Sequence, residues 1–115
     1  MNIWKLSYYP SELIKEAPTK FLVQLNNDSP KEAATMVSHL STMCQLEFID
    51  WANVWKKPIA KNHYQLTSGN LRVYYGLYGR EIVVFYICRK KGQKALPADL
   101  NRARLNQEAY ESWRK

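Results

Sequence analysis

Arg89, Lys90, Lys91 and Lys94 crowd six consecutive positions directly after the apolar run 82–88, in the stretch IVVFYICRKKGQKALP. Such a cluster can hold a phosphate: arginine offers a planar fork of donors to two oxygens, and lysine a compact point charge. A further arginine, Arg72, stands within an alternating segment, and Lys56, Lys57 and Lys61 precede it. His63 adds an imidazole whose ordinary pKa, about 6.5, suits proton transfer in either direction. These types supply the parts of metal-free phosphodiester cleavage, namely a base for a hydroxyl proton, cations for the charge developing on phosphorus, and an acid for the leaving oxygen.

Arg72, Arg89, Lys91 and His63 are therefore the candidate catalytic residues, and Lys56, Lys57, Lys61, Lys90 and Lys94 the candidate contacts to a nucleic-acid backbone. The base is open between His63 and a lysine among other cations, Lys61 or Lys91; Tyr86 or Tyr74 is the candidate acid. Plainer readings stand beside these: His63 as a strand-end histidine in water, Arg72 as a solvent-facing strand arginine. Carboxylate chemistry is disfavoured, because only Glu81 and Asp99 lie in the basic region.

The charge distribution supports a polyanion-binding face. The net charge of +7 is uneven: residues 56–104 carry eleven cations against two anions, whereas residues 1–55 carry four against six. Clustered Lys and Arg on an otherwise near-neutral chain is the footprint of phosphate contacts, although a solvated surface gives the same composition. Cys44 and Cys88 have no metal-ligand spacing with His39 or His63, so buried free thiols, no metal and no cofactor are expected. The apolar run 82–88 is too short to span a bilayer and the N-terminus lacks a signal-peptide pattern, so a cytoplasmic protein without a membrane partner is expected.

The elements that must position these groups are legible in part. The segment 3–8 reads as a strand ended by Pro10; Pro18 opens a short helix with Phe21, Leu22 and Leu25, which Asn26 and Asn27 end. SPKEAATMVSHLSTMC begins with a capping box, Ser29 with Glu32, and Pro30 at the first helical position. Ala33, Met36, Val37, Leu40, Met43 and Cys44 then form its apolar stripe. Residues 46–62 read as a helix end and loop in which Trp51 and Trp55 close the core, or else stack bases. From His63 the period changes to two, predicting a three-stranded antiparallel meander with turns at Ser68-Gly69-Asn70 and Tyr78-Gly79-Arg80. Its last strand is apolar on both faces, as in a central strand covered by helices. Pro97 opens a final helix with Asp99 in its first turn and Leu100, Ala103, Tyr110 and Trp113 along one side.

Strand, two helices, meander, basic exit and terminal helix is the order that small toxins of the RelE/ParE superfamily look like. SYYPSELIKEAPTKFLVQL is similar to that family's opening. LRVYYGLYGREIVVFYICRKKGQKALPADLNRARLNQEAY resembles its phage-derived HigB-like branch, with Arg72, the turn, the apolar strand, Lys90-Lys91, Gln93-Lys94 and Pro97 in that branch's order. It departs where Tyr86-Ile87-Cys88 replaces a His-Gly-Phe, where Gly92 and Ala95 replace threonines, and where Gln65-Leu66-Thr67 replaces Glu-Leu-Arg. The resemblance implies one α+β domain over residues 1–115: a small antiparallel or mixed sheet, two N-terminal helices packed on one face, and a C-terminal helix. It also implies a type II toxin, a ribosome-dependent messenger RNA endonuclease whose partners are a helix-turn-helix antitoxin, the ribosome and messenger RNA. The alternative in the same superfamily is a non-enzymatic toxin or relic that inhibits DNA gyrase or binds nucleic acid.

Overall fold

The computed structural model describes residues 2–9 and 18–114. It has an α+β fold with strands β1 (Lys5–Tyr8), β2 (Lys57–Ala60), β3 (His63–Ser68), β4 (Leu71–Tyr78) and β5 (Glu81–Arg89), and helices α1 (Pro18–Asp28), α2 (Pro30–Cys44) and α3 (Pro97–Arg114). One five-stranded mixed sheet runs in the order β1-β5-β4-β3-β2. The predicted meander is β3-β4-β5, and β1 adds to β5 in parallel, with Lys5 opposite Glu81 and Tyr8 opposite Val84. Each hairpin of the meander turns on two residues and puts a glycine first, Gly69 at φ 57° and Gly79 at φ 62°, a conformation that side-chain-bearing residues resist.

β5 carries apolar residues on both faces because each meets a different layer. Ile82, Val84 and Ile87 join Leu66, Val73 and Tyr75 in one cluster with Leu25 of α1 and Met36, Leu40 and Met43 of α2. On the other face Val83 and Phe85 pack with Tyr110, while Cys88 and Tyr74 pack with Ala103, both partners from α3. The register slips by one residue between Tyr74 and Tyr75, which puts Phe85 out of the ladder as a bulge. Phe85 and Tyr86 thereby face the α3 side together, and Cys88 is delivered to that side too. Cys44 and Cys88 are free and buried in different clusters. Among the described residues no helix is long and apolar enough to cross a membrane.

Several sequence expectations are corrected. The first strand starts at Lys5, not Ile3, and Pro10 lies outside the described residues. Asn26 and Asn27 do not end α1, whose last turn passes directly into α2: Ser29 N donates to Leu25 O and Ala33 N to Ser29 O. Pro30 does take the first helical position, but the Ser29 side chain makes no cap bond, and the Glu32 carboxylate is drawn to Arg89. Val37, placed in the stripe, is 40% exposed. The loop expected over 46–62 instead holds two short 3-10 turns, Phe48–Asp50 and Asn53–Trp55, and the edge strand β2.

Trp51 is buried, and its indole nitrogen donates to Met43 O at 2.8 Å and Leu46 O at 3.1 Å; that of Trp4 also donates to Leu46 O. Two indoles thus bond carbonyls at and just past the end of α2. The inward face of α3 is more polar than expected. Asn106 donates to Phe85 O and Gln107 to Asn62 O, while Trp113 stands 63% exposed.

Candidate functional site

A groove of about 650 Å³ opens where β2, β3 and β4 meet the segment between β5 and α3. Lys56, Lys57, Arg72 and Lys90 line it, with the rings of Phe48 and Tyr64 and the polar side chains of Gln65, Thr67 and Gln93; none of its lining residues is a carboxylate. Strand pairing assembles it. Lys57 stands opposite Gln65 and Thr67 opposite Arg72, so the alternation of adjacent strands sends all four to one face. The segment after β5 folds back as a wall, with Lys90 N donating to Asn70 O at 2.7 Å.

Arg72 is not the solvent-facing strand arginine of the plainer reading. It is 3% exposed, and its Nη2 donates to the carbonyls of Gly92 at 3.1 Å and Gln93 at 3.0 Å. Its Nε is buried without a partner. Lys56 is also partly engaged: Nζ donates to Phe48 O and Ile49 O and lies 5.0 Å from the centre of the Phe48 ring. Lys57 and Lys90 are exposed. The groove therefore has a fixed cation at its base and freer ones at its rim.

The other candidates fall elsewhere. Arg89 leaves β5 toward α2 and pairs with Glu32 at 3.1 Å; with Lys20, Phe21 and Lys91 it borders a separate hollow of about 460 Å³. Hydrogen bonding to Ser29, then to Arg89, holds the Glu32 carboxyl below its usual range. Lys61, in the β2–β3 turn, and Lys94, in the segment before α3, are exposed and line no groove with Arg72.

His63 is 2% exposed, so it is not in water; it borders a separate hollow of about 350 Å³ with Leu100, Arg104 and Gln107, apart from the groove. Its Nδ1 lies 2.7 Å from Gln107 Oε1, an acceptor, so the imidazole carries its proton there and Nε2 is an unpartnered lone pair. Burial lowers its pKa. The candidate acids are similarly withdrawn. Tyr74 is fully buried, its hydroxyl pushed up to about 12 by burial first and then by Cys88, and Tyr86 donates to Asp99 at 3.1 Å. The two carboxylates of the basic region have structural partners: Glu81 accepts from Ser7, and Asp99 from Tyr86.

Of the nine candidate residues, Lys56, Lys57, Arg72 and Lys90 come together, and Arg89, Lys91, His63, Lys61 and Lys94 do not join them. Tyr64, Gln65, Thr67 and Gln93 were not among the site residues expected from sequence. Gln65 and Thr67 carry a usable signal, since period two sets them on the face of β3 that meets Arg72. No protein-family model matches this chain, and no curated protein does.

Proposed function

We propose that this chain is a RelE/ParE-like toxin that binds messenger RNA in the Lys56–Lys57–Arg72–Lys90 groove and cleaves it on the ribosome without a metal. The observation carrying the reading is the convergence of four cations and two aromatic rings on one groove lined by no carboxylate. Single-stranded nucleic acid is bound by that combination, charge along the backbone and rings beneath the bases. In cleavage, the 2′-oxygen attacks the adjacent phosphorus, Arg72 and Lys90 neutralise the developing charge, and the 5′-oxygen departs with a proton. With His63 buried away from the groove, the proton acceptor is Lys57 in its unprotonated form, which passes that proton to the departing 5′-oxygen while Lys90 stays charged. A RelE-like placement of the helices about the sheet, a cytoplasmic setting and a helix-turn-helix antitoxin partner belong to the same reading.

One observation favours a second reading, a toxin that binds without cutting, on nucleic acid or DNA gyrase: the imidazole and both tyrosine hydroxyls named as proton donors or acceptors are buried or engaged outside the groove. Primer extension on a defined messenger in a reconstituted translation reaction separates the two. New 5′ ends that require ribosomes and vanish in Lys57→Ala/Lys90→Ala establish cleavage. Intact messenger with folded protein removes it, and a supercoiling assay then tests gyrase.

A further inference from the structure

Two buried polar atoms at the groove have no protein partner, Oε1 of Gln65 and Nε of Arg72. Their side chains are 4% and 3% exposed. Thr67 stands opposite Arg72 and Gln65 lies two residues away on the same strand, so Gln65 and Arg72 are diagonal neighbours on one face. Gln65 uses its Nε2 on Thr67 Oγ1 at 3.3 Å, and Arg72 uses Nη2 on the Gly92 and Gln93 carbonyls. These bonds leave one acceptor and one donor free on neighbouring residues of one face.

Unmade hydrogen bonds at buried atoms are costly, so such a pair calls for an occupant. Within a sugar–phosphate backbone only a ribose hydroxyl both donates and accepts: its proton goes to Gln65 Oε1 and its oxygen accepts from Arg72 Nε. A phosphate oxygen would leave Gln65 unpaired, and deoxyribose supplies neither group at that carbon. A hydroxyl also suits either rotation of the Gln65 amide. We infer that Gln65 and Arg72 bind the 2′-hydroxyl of a nucleotide in the groove and thereby select RNA over DNA. The inference rests on the proposed nucleic-acid binding and adds the residues that read the sugar. Both atoms are buried in the chain alone, so seating the ribose requires the groove lining to move aside.

The test is fluorescence anisotropy with the full chain on one single-stranded sequence made as RNA, as 2′-fluoro RNA and as DNA. RNA is expected to bind about tenfold tighter than both analogues, the scale of one unmade hydrogen bond at a buried pair. Gln65→Met, which keeps length and removes the amide, should lower RNA affinity to the DNA level and leave DNA affinity unchanged. Equal affinity of the three ligands for the native chain, or an RNA preference that survives in Gln65→Met, would overturn the proposal and assign the two atoms to ordered water. The ligand series needs no variant, so it holds even if Gln65→Met folds poorly. Lys57→Ala separates this from the underlying reading: it weakens all three ligands alike if the groove binds nucleic acid. If no ligand binds the native chain, both fall.

Discussion

Arg72 and Arg89 leave the sheet on opposite faces. Arg89 is paired across the β4–β5 ladder with Leu71, of the α1–α2 cluster, and Arg72 with Cys88, which packs against α3. A two-arginine phosphate clamp, attractive in the sequence, is therefore not assembled. Arg89→Ala removes a half-exposed ion pair with Glu32 and should cost less than about 1 kcal/mol of stability, with RNA affinity within about twofold of native. Arg72→Met leaves the Gly92 and Gln93 carbonyls without their donor, should cost about 1–3 kcal/mol, and should weaken RNA binding. Urea unfolding and anisotropy on both variants test this; an equal affinity loss in the two would restore the clamp.

In binding, the exposed rim lysines should act through charge alone. Each phosphate neutralised on a single strand contributes about −0.7 to the slope of log affinity against log salt concentration. Lys57→Ala and Lys90→Ala should each flatten that slope by about this amount, and together by about twice it, with little change in thermal midpoint. Lys56→Ala should differ, because its ammonium also holds the Phe48 and Ile49 carbonyls, so it should lose stability as well as affinity. A salt slope unchanged in the double variant would move the binding surface away from the groove.

The fold was legible where local pattern and tertiary role agree. Period two over residues 63–88, punctuated by Gly69 and Gly79, is the meander, and the two-sided apolar run of β5 announced its interior place. β2 was hidden because Pro58 and its lysines resemble a loop; an edge strand needs a ladder on one side only and tolerates both. The capping box failed because the Ser29 N–H that Glu32 would accept is already donated to Leu25 O, where α1 runs into α2. Distance along the chain concealed the site. Arg72 is fixed by carbonyls about twenty residues downstream and His63 is held by Gln107 on the last helix, relationships that no local spacing encodes.

Gly76 joins the turn ahead of β3 to the sheet. A Cβ there would lie 2.8 Å from the carbonyl oxygen of Asn62 and 2.9 Å from the Tyr78 ring. Asn62 has little room to yield: its side chain pairs with both backbone groups of Leu77, and its carbonyl accepts from Gln107. Gly76→Ala should therefore destabilise by about 1–3 kcal/mol, as overpacking does, whereas Gly69→Ala meets no atom and should cost only the strain of its positive φ. Thermal denaturation of the two variants makes the comparison. A harmless Gly76→Ala would mean that this turn shifts freely, and β2 with it.

His63 should make stability fall on mild acidification. In the folded chain its pKa is lowered from the ordinary 6.5 by burial, only partly opposed by its bond to Gln107. The unfolded chain takes up that proton near the ordinary value, so between there and the lower folded pKa the unfolded state binds more protons. The contribution is complete above about pH 6.5, declines as pH drops below it, and stops changing once folded His63 is itself protonated. Glu32 shifts stability only in the more acidic range below its ordinary 4.5, which keeps the two apart. Urea midpoints at pH 8, 6.5 and 5.5 should step downward for the native chain and stay level for His63→Gln, which cannot take up a proton. A level native profile would mean that the imidazole reaches solvent, returning it to the candidates for proton transfer.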